Sequence, residues 1–272
     1  MLTDACQFPA MIYDWRRRFA EPWAGTDQEL TFLFVGLPAY VQDLPSTSYD
    51  GEVDSGLPQL RLAQVHAEGL GHTFMTSLID HGYLFGHMGS IHPMDKTPVG
   101  KRLALAARQH VYGEAVVAAG PRPLSATVNN EGTRVALTFD PKTVGPDGLL
   151  LRTAGAVRQQ CPLGQKQIAG SPTNFTVPLS QCGPATGFEF AIGAHGHRHW
   201  RAVSTMELGA DRRSLELLLP ARLAGAKGLS VSSLRYLFAD WPTPTVYNSL
   251  SYLGENGELP TAPFEMAVHG HS

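Results

Sequence analysis

The sequence predicts an α/β half followed by a small antiparallel β-domain, and three observations carry that prediction. Up to Gly113 the pattern runs helix, strand, helix, strand, loop, helix, the order expected of parallel strands crossed by helices. Within it, Leu30 to Leu37 is a continuous apolar run stopped by Pro38, which suits a strand buried on both faces. Beyond Ala119-Gly120-Pro121-Arg122-Pro123 the helical period disappears, and short strands separated by Gly/Pro-rich turns take over. The boundary is therefore placed at 1–120 and 121–272, the second part reading as β-sandwich-like.

The first helix is expected from near Pro9 to Phe19, with Met11, Trp15 and Phe19 at i, i+4 and i+8 forming a buried stripe. Arg16, Arg17 and Arg18 then read as a solvated face, and Pro22 as the stop. The segment 41–56, rich in Asp, Ser and Pro, reads as a surface loop. A short helix opens at Gln59 to Gln64, and a strand follows from Thr73 to Ile79. Next comes a Gly/Pro-punctuated loop, Gly89-Ser90-Ile91-His92-Pro93-Met94-Asp95-Lys96, which empties into a helix. Thr97 is its expected N-cap, Pro98 a first-turn proline, and Leu103, Ala107 and Val111 its expected apolar face. In the second half, 126–128 and 134–139 read as a hairpin closed by Asn129-Asn130-Glu131-Gly132. Further strands are expected at 188–192, 199–203, 214–219 and 229–238.

Composition narrows the function classes. The chain has 272 residues, 43% of them hydrophobic, enough to bury a core. A net charge of −3 and a pI near 6.4 do not suggest a nucleic-acid partner or an anionic membrane surface. The longest apolar run, Leu30 to Val41, is broken by Pro38 and too short to span a bilayer, and no signal-peptide pattern opens the sequence. Three cysteines make no metal motif; Cys161 and Cys182 are free to pair in an oxidising compartment. Asn174-Phe175-Thr176 is a formal glycosylation sequon, meaningful in a secreted protein.

Candidate chemistry centres on histidine. His92 lies on a loop held by a strand and a helix yet facing solvent, the position of a general base. His195, His197 and His199 alternate, but no further ligand set accompanies them, so no metal site is expected. His81 and His87 flank the loop and either line its mouth or solvate it. Asp80, at a strand end, either orients a neighbour, meets substrate, or caps the loop.

The wording of the loop adds a family. Ser90-Ile91-His92-Pro93-x-Asp95-Lys96, with Arg102-Leu103-Ala104-Leu105 and Tyr112-Gly113, resembles the last catalytic block of the sialate O-acetylesterases of the SGNH hydrolase superfamily. Phe8-Pro9-Ala10, Asp14-Trp15-Arg16, Pro58-Gln59-x-Arg61-x-x-Gln64 and Thr73-Phe74-Met75 match the same family in order, as do Leu234-Arg235-Tyr236, Asp240-Trp241-Pro242 and Leu259 to Phe264. The resemblance implies an SGNH-like parallel sheet and makes His92 the catalytic base of Ser-His acyl transfer on O-acetylated sialic acids, with no metal or organic cofactor. Asp80, Asp95 and Gln64 become the candidates for orienting His92 or meeting substrate. It also implies a lysosomal or secreted full-length protein.

Two departures qualify it. Gly89 and Ser90 occupy the places where many SGNH hydrolases carry an aspartate before the histidine. The family's Gly-Gln-Ser-Asn nucleophile block does not occur; Ser55, Ser90 and Ser171, the serines near glycines, follow no N-terminal strand. The chain therefore reads as the C-terminal half of an esterase, whose missing N-terminal half is its natural partner. The reading of a different class is a catalytically silent chain that serves binding or assembly through its β-domain. On either reading the first half is expected to leave a sheet edge uncovered and the second to fold by itself.

Overall fold

The structure is a computed structural model that describes residues 2–20, 30–40, 56–83, 91–129, 131–152, 182–193, 199–219, 230–250, 252–253 and 257–270. Its first part holds α1 (Leu2–Phe19), β1 (Phe32–Gly36), α2 (Leu57–Ala67), β2 (Thr73–Ser77) and α3 (Thr97–His110). The two strands pair in parallel, Phe32 opposite Thr73 and Gly36 opposite Ser77. Alternation sorts their side chains. Phe34 and Met75 pack with Ala67 of α2 and Phe8 of α1, while Leu33 joins Leu105 and Ala106 of α3 on the other face. Phe74 stacks on His110 of α3, ring centroids 3.5 Å apart.

Both expected helix stripes are displaced. In α1 the inward row is Phe8, Ile12 and Arg16, whereas Trp15 and Phe19 are 46% and 50% exposed. Arg16 is no part of a solvated face: it donates to the carbonyls of Leu30 and His72 and to the Thr73 hydroxyl. Only Arg17 and Arg18 stay outside, both on Asp14. In α3 the buried residues are Arg102, Leu105 and Ala106, and Val111 is 53% exposed. The common reason is that each helix turns an arginine inward to satisfy strand-end carbonyls, which rotates the purely apolar stripe outward.

The second part is built from β3 (Pro123–Val128), β4 (Arg134–Phe139), the short α4 (Pro141–Val144), β5 (Leu150–Leu151), β6 (Phe188–Gly193), β7 (His199–Ala202), β8 (Met206–Leu208), β9 (Ser214–Leu218), β10 (Ser230–Tyr236), β11 (Val246–Tyr247), β12 (Phe264–Ala267) and β13 (His269–Gly270). They form a five-stranded sheet ordered β13-β3-β4-β9-β8, a four-stranded sheet ordered β12-β10-β6-β7, and the small pair β11-β5. All neighbours are antiparallel except β13 on β3. Val135, Leu137, Leu215 and Leu217 of the larger sheet meet Phe188, Phe190, Leu234 and Tyr236 of the other in one core, as in a sandwich. The β3–β4 turn is closed by Asn129, whose Oδ1 accepts the N–H groups of Thr133 and Arg134, with Gly132 at positive φ.

The two parts share core. Ile79, just past β2, is buried in the sandwich cluster. Leu259 packs with Leu105, Ala106, Val116 and Ala118, and Ala262 packs against the Phe34–Met75 cluster. Gly120 crosses this seam so closely that a Cβ there would lie 1.9 Å from the Pro260 carbonyl oxygen. The tightest tie is Arg61 of α2, 2% exposed, which donates to Leu37 O (3.2 Å), Pro38 O (2.6 Å), Ala239 O (2.6 Å) and Asp240 O (2.9 Å). Burial draws its pKa down to about 9 while the Asp240 charge works against the drop, so it remains a cation at neutral pH. An independently folding second part is at odds with this seam, because its removal would strip Ala239 and Asp240 of their donor and Ile79 from the core.

Replacing Arg61 by Met keeps its bulk and removes every donor. The carbonyls of Leu37, Pro38 and Ala239 would lose this donor, while Asp240 O keeps the Tyr40 N–H at 3.0 Å, and the loss should cost about 3 kcal/mol or more. Urea unfolding should show a sharply lower midpoint in Arg61→Met; an unchanged midpoint would remove Arg61 as the tie between the parts.

Candidate active site

The loop between β2 and α3 carries the histidine that the sequence singles out. Its first turn, Leu78 to His81, leaves the carboxyl end of β2, the end of a parallel sheet where ligands gather. Its last turn enters α3. His92 is exposed, whereas the following Pro93 is buried and anchors the turn. Segment 84–90, with His87, Gly89 and Ser90, lies outside the described residues, as do Ser55, Cys161, Ser171, Asn174, His195 and His197.

Each of the three residues considered as partners of His92 has other work. Asp80, 1% exposed, forms a two-point ion pair with Arg102 of α3, at 2.7 and 2.9 Å, and Arg102 also donates to Ser77 O at 2.5 Å. This pins the end of β2 to the first turns of α3 and so fixes both ends of the His92 loop. His81 Nε2 lies 3.8 Å from Asp80 Oδ1 on the same turn. Asp95, on the surface, accepts the Thr97 N–H at 2.8 Å and serves the start of α3 in the manner of a cap. Thr97 is thus the first residue of the helix, and Lys96, which offers no side-chain cap, precedes it. The Thr97 hydroxyl and N–H hold the Asp95 carboxyl below its ordinary value, helped by the His81 and Lys101 charges. Gln64 of α2 accepts the Leu37 N–H at 3.0 Å, beyond the end of β1. Among the described residues no hydrogen bond joins His92 to any of the three.

What sequence reasoning undervalued was the arginines. Arg102 decides the loop's geometry, yet in one dimension it is a basic residue in a helix; only its 22-residue separation from Asp80, closed in space, shows its use. Arg61 and Gln64, three apart on α2, both grip the backbone after β1.

A second feature is a cavity of about 360 Å³ between α2, β2 and the stretches 118–123 and 259–264. His92 is not among its lining residues; Glu68 is. Glu68 Oε1 accepts the Met75 N–H at 2.9 Å. Burial raises its carboxyl above the ordinary value, against the pull of the Met75 N–H and the Arg122 charge. The same Arg122 charge adds to burial in lowering the His110 pKa.

These observations define a class, an α/β layer with a solvent-facing loop histidine joined through a shared core to a β-sandwich, and the fold resembles that of a solved protein. The fold superposes on a carbohydrate acetylesterase from Xanthomonas citri with a TM-score of 0.63 and 25% identity, covering 97% of this chain and 46% of that one. In sequence the chain is a homologue of the sialate O-acetylesterases: it is 36% identical to the mouse protein over 143 residues, 35% to the rat protein over 144 and 37% to the human protein over 115. These matches take in half of this chain against mouse and rat and 40% against human. The chain spans about a quarter of the length of the mouse and rat proteins, and 21% of the human one. No family model matches it.

The Glu68 environment yields a pH test. Its folded-state pKa lies above the unfolded one, so the folded state binds the extra proton, and stability must fall as the pH rises through the folded value. Glu68→Gln retains an acceptor for the Met75 N–H and carries no charge. Melting curves between pH 4 and 8 should show Glu68→Gln gaining on the wild type as pH rises, by up to about 1 kcal/mol. A constant difference across that range would contradict the buried-carboxylate account.

Proposed function

We propose that this chain supplies the general base, His92, of an ester hydrolase that removes O-acetyl groups from sugars, sialic acids foremost. The observation that carries the reading is the placement of His92: exposed, between β2 and α3, on a loop whose ends are clamped by Asp80–Arg102. The sialate O-acetylesterase homologues and the carbohydrate acetylesterase neighbour support the substrate class. Residues 1–120 then belong to an SGNH-like esterase domain and 121–272 to a β-sandwich-like domain fused to it.

In this mechanism a serine attacks the acetyl carbonyl while His92 takes its proton. The imidazolium then protonates the departing sugar oxygen, water enters, and His92 repeats both transfers to release acetate. Donors to the tetrahedral oxyanion and the serine come from polypeptide outside these 272 residues, since no Gly-Gln-Ser-Asn block occurs in them. The chemistry calls for no metal or organic cofactor. Among the described residues no helix is long and apolar enough to cross a membrane. Cys182 is disulfide-bonded while Cys6 is free, which supports an oxidising, lysosomal or secreted setting.

One observation favours a second reading, a catalytically silent chain that binds or assembles through its β-domain: the absence of that serine block. Acetate release from a 9-O-acetylated sialic acid separates the two. The chain mixed with the serine-bearing half should be active where the chain alone is not; inactivity of both selects the silent reading. In the active mixture His92→Ala should lose at least ~10² in rate. Its melting temperature should hardly move, as for ordinary surface substitutions. Wild-type turnover in His92→Ala would remove His92 from the mechanism.

A further inference from the structure

The cavity between the two parts has the outer edge of β2 as one of its sides. Phe32 N–H donates to His72 O, so the N–H and C=O groups of Thr73, Met75 and Ser77 point away from β1. Side chains fill two of these groups: Glu68 accepts the Met75 N–H at 2.9 Å, and Arg102 donates to Ser77 O. Between those two stand the Met75 carbonyl and the Ser77 N–H, and among the described residues no hydrogen bond reaches either. Met75 is only 8% exposed, and both residues line the cavity. Shielded backbone groups call for partners, and here an acceptor and a donor stand side by side.

The facing wall does not meet them. Pro121, Pro123, Pro260 and Pro263 carry no N–H, and the N–H groups of Ala118, Arg122 and Leu259 are spent on Gln109, Thr143 and Asn248. The volume of about 360 Å³ falls within the roughly 300–1,000 Å³ of small-ligand sites, and Val65, Leu259 and Phe264 add apolar lining. Glu68 borders the same stretch of edge, because its Oε1 sits on the N–H of the residue whose carbonyl is open. Two acceptors, a carboxylate and a carbonyl, therefore converge at one end of the open pair, and the Ser77 N–H donor stands at the other. Burial disfavours the Glu68 charge, so a cation beside it would be held. Arg122, exposed and also lining the cavity, forms no ion pair with Glu68 among the described residues.

We infer that this cavity binds a primary α-amino group next to a carbonyl, carried by an apolar residue: a free amino acid or the N-terminus of a peptide. The ammonium group donates to Met75 O and to the Glu68 carboxylate, and the neighbouring carbonyl oxygen accepts the Ser77 N–H. Parallel pairing sets this order. A residue laid opposite Thr76 donates its own N–H to Met75 O and accepts the Ser77 N–H at its own C=O, so one residue makes both bonds. The site stands apart from the esterase reading, because His92 is not among the lining residues.

The test is calorimetric titration of the full chain with L-leucine, L-leucinamide, the tripeptide leucyl-glycyl-glycine and N-acetyl-L-leucinamide. Leucinamide should bind saturably, and the acetylated probe, whose amine is blocked, at least tenfold more weakly. Whether leucine or the tripeptide binds more tightly then identifies the source, a free amino acid or a peptide N-terminus. Deuterium exchange at the Ser77 amide should slow at least tenfold in the complex. Glu68→Gln, which keeps an acceptor for the Met75 N–H, should weaken leucinamide at least tenfold. Arg122→Gln, on an exposed side chain, should not weaken it. Equal binding of the acetylated probe, dependence on Arg122 instead of Glu68, or an unprotected Ser77 amide would overturn the inference. So would the absence of saturable binding by leucine, leucinamide and the tripeptide to a chain whose melting curve shows it folded.

Discussion

Three arginines, one from each helix of the first part, hold the strand ends in place, and the remaining architecture depends on them. Arg16 grips the backbone entering β1 and β2, Arg61 the backbone leaving β1 together with Ala239 and Asp240, and Arg102 the backbone leaving β2 together with Asp80. A two-stranded parallel sheet has few ladder hydrogen bonds, and the guanidinium groups supply donors to the carbonyls where its strands end. A guanidinium suits that task because it offers five donors in a fixed plane on a long apolar stem. Arg16 and Arg61 face mainly neutral carbonyls, so their charge is stabilised by dipoles, while Arg102 has a carboxylate.

The same three residues explain why the helices do not present their most apolar stripes to the sheet. Turning Arg16 inward brings Ile12 and Phe8 with it and leaves Trp15 and Phe19 facing out. Turning Arg102 inward brings Leu105 and Ala106 and leaves Val111 in solvent. In the second part the polar core follows a related logic. The Tyr236 hydroxyl accepts the Thr245 and Val246 N–H groups, and burial pushes its pKa up to about 12, so it stays protonated. Arg235 pairs with Glu189 and lies 4.0 Å over Trp200 and 4.1 Å over Phe238, which keeps a charged pair inside the four-stranded sheet.

Much of this was legible in one dimension. The apolar run before Pro38 became β1, Thr73 onward became β2, and the Asn129–Gly132 turn joined β3 to β4, because local patterning and turn chemistry decide such elements. The loop histidine was legible too, since Gly and Pro punctuation marks a scaffold-held turn. The helix faces were not, because a periodicity count scores arginine as polar and cannot see the carbonyls that reward its burial. Nor was the shared core at Ile79 and Leu259, which requires contacts between residues far apart in the chain. The short β5, β8, β11 and β13 escaped for a third reason: two or three residues carry no periodicity, and only pairing defines them.

On the proposed function, a loop clamped at both ends by the Asp80–Arg102 pair presents His92 to a serine that another stretch of polypeptide supplies. The most direct measurement is a crystal structure of the active assembly trapped as an acetyl-enzyme mimic. It should place a His92 ring nitrogen about 2.6–3.2 Å from the serine oxygen, the reach of proton transfer, with Asp80 still on Arg102. A serine beyond that reach, or attended by a different histidine, would contradict the account.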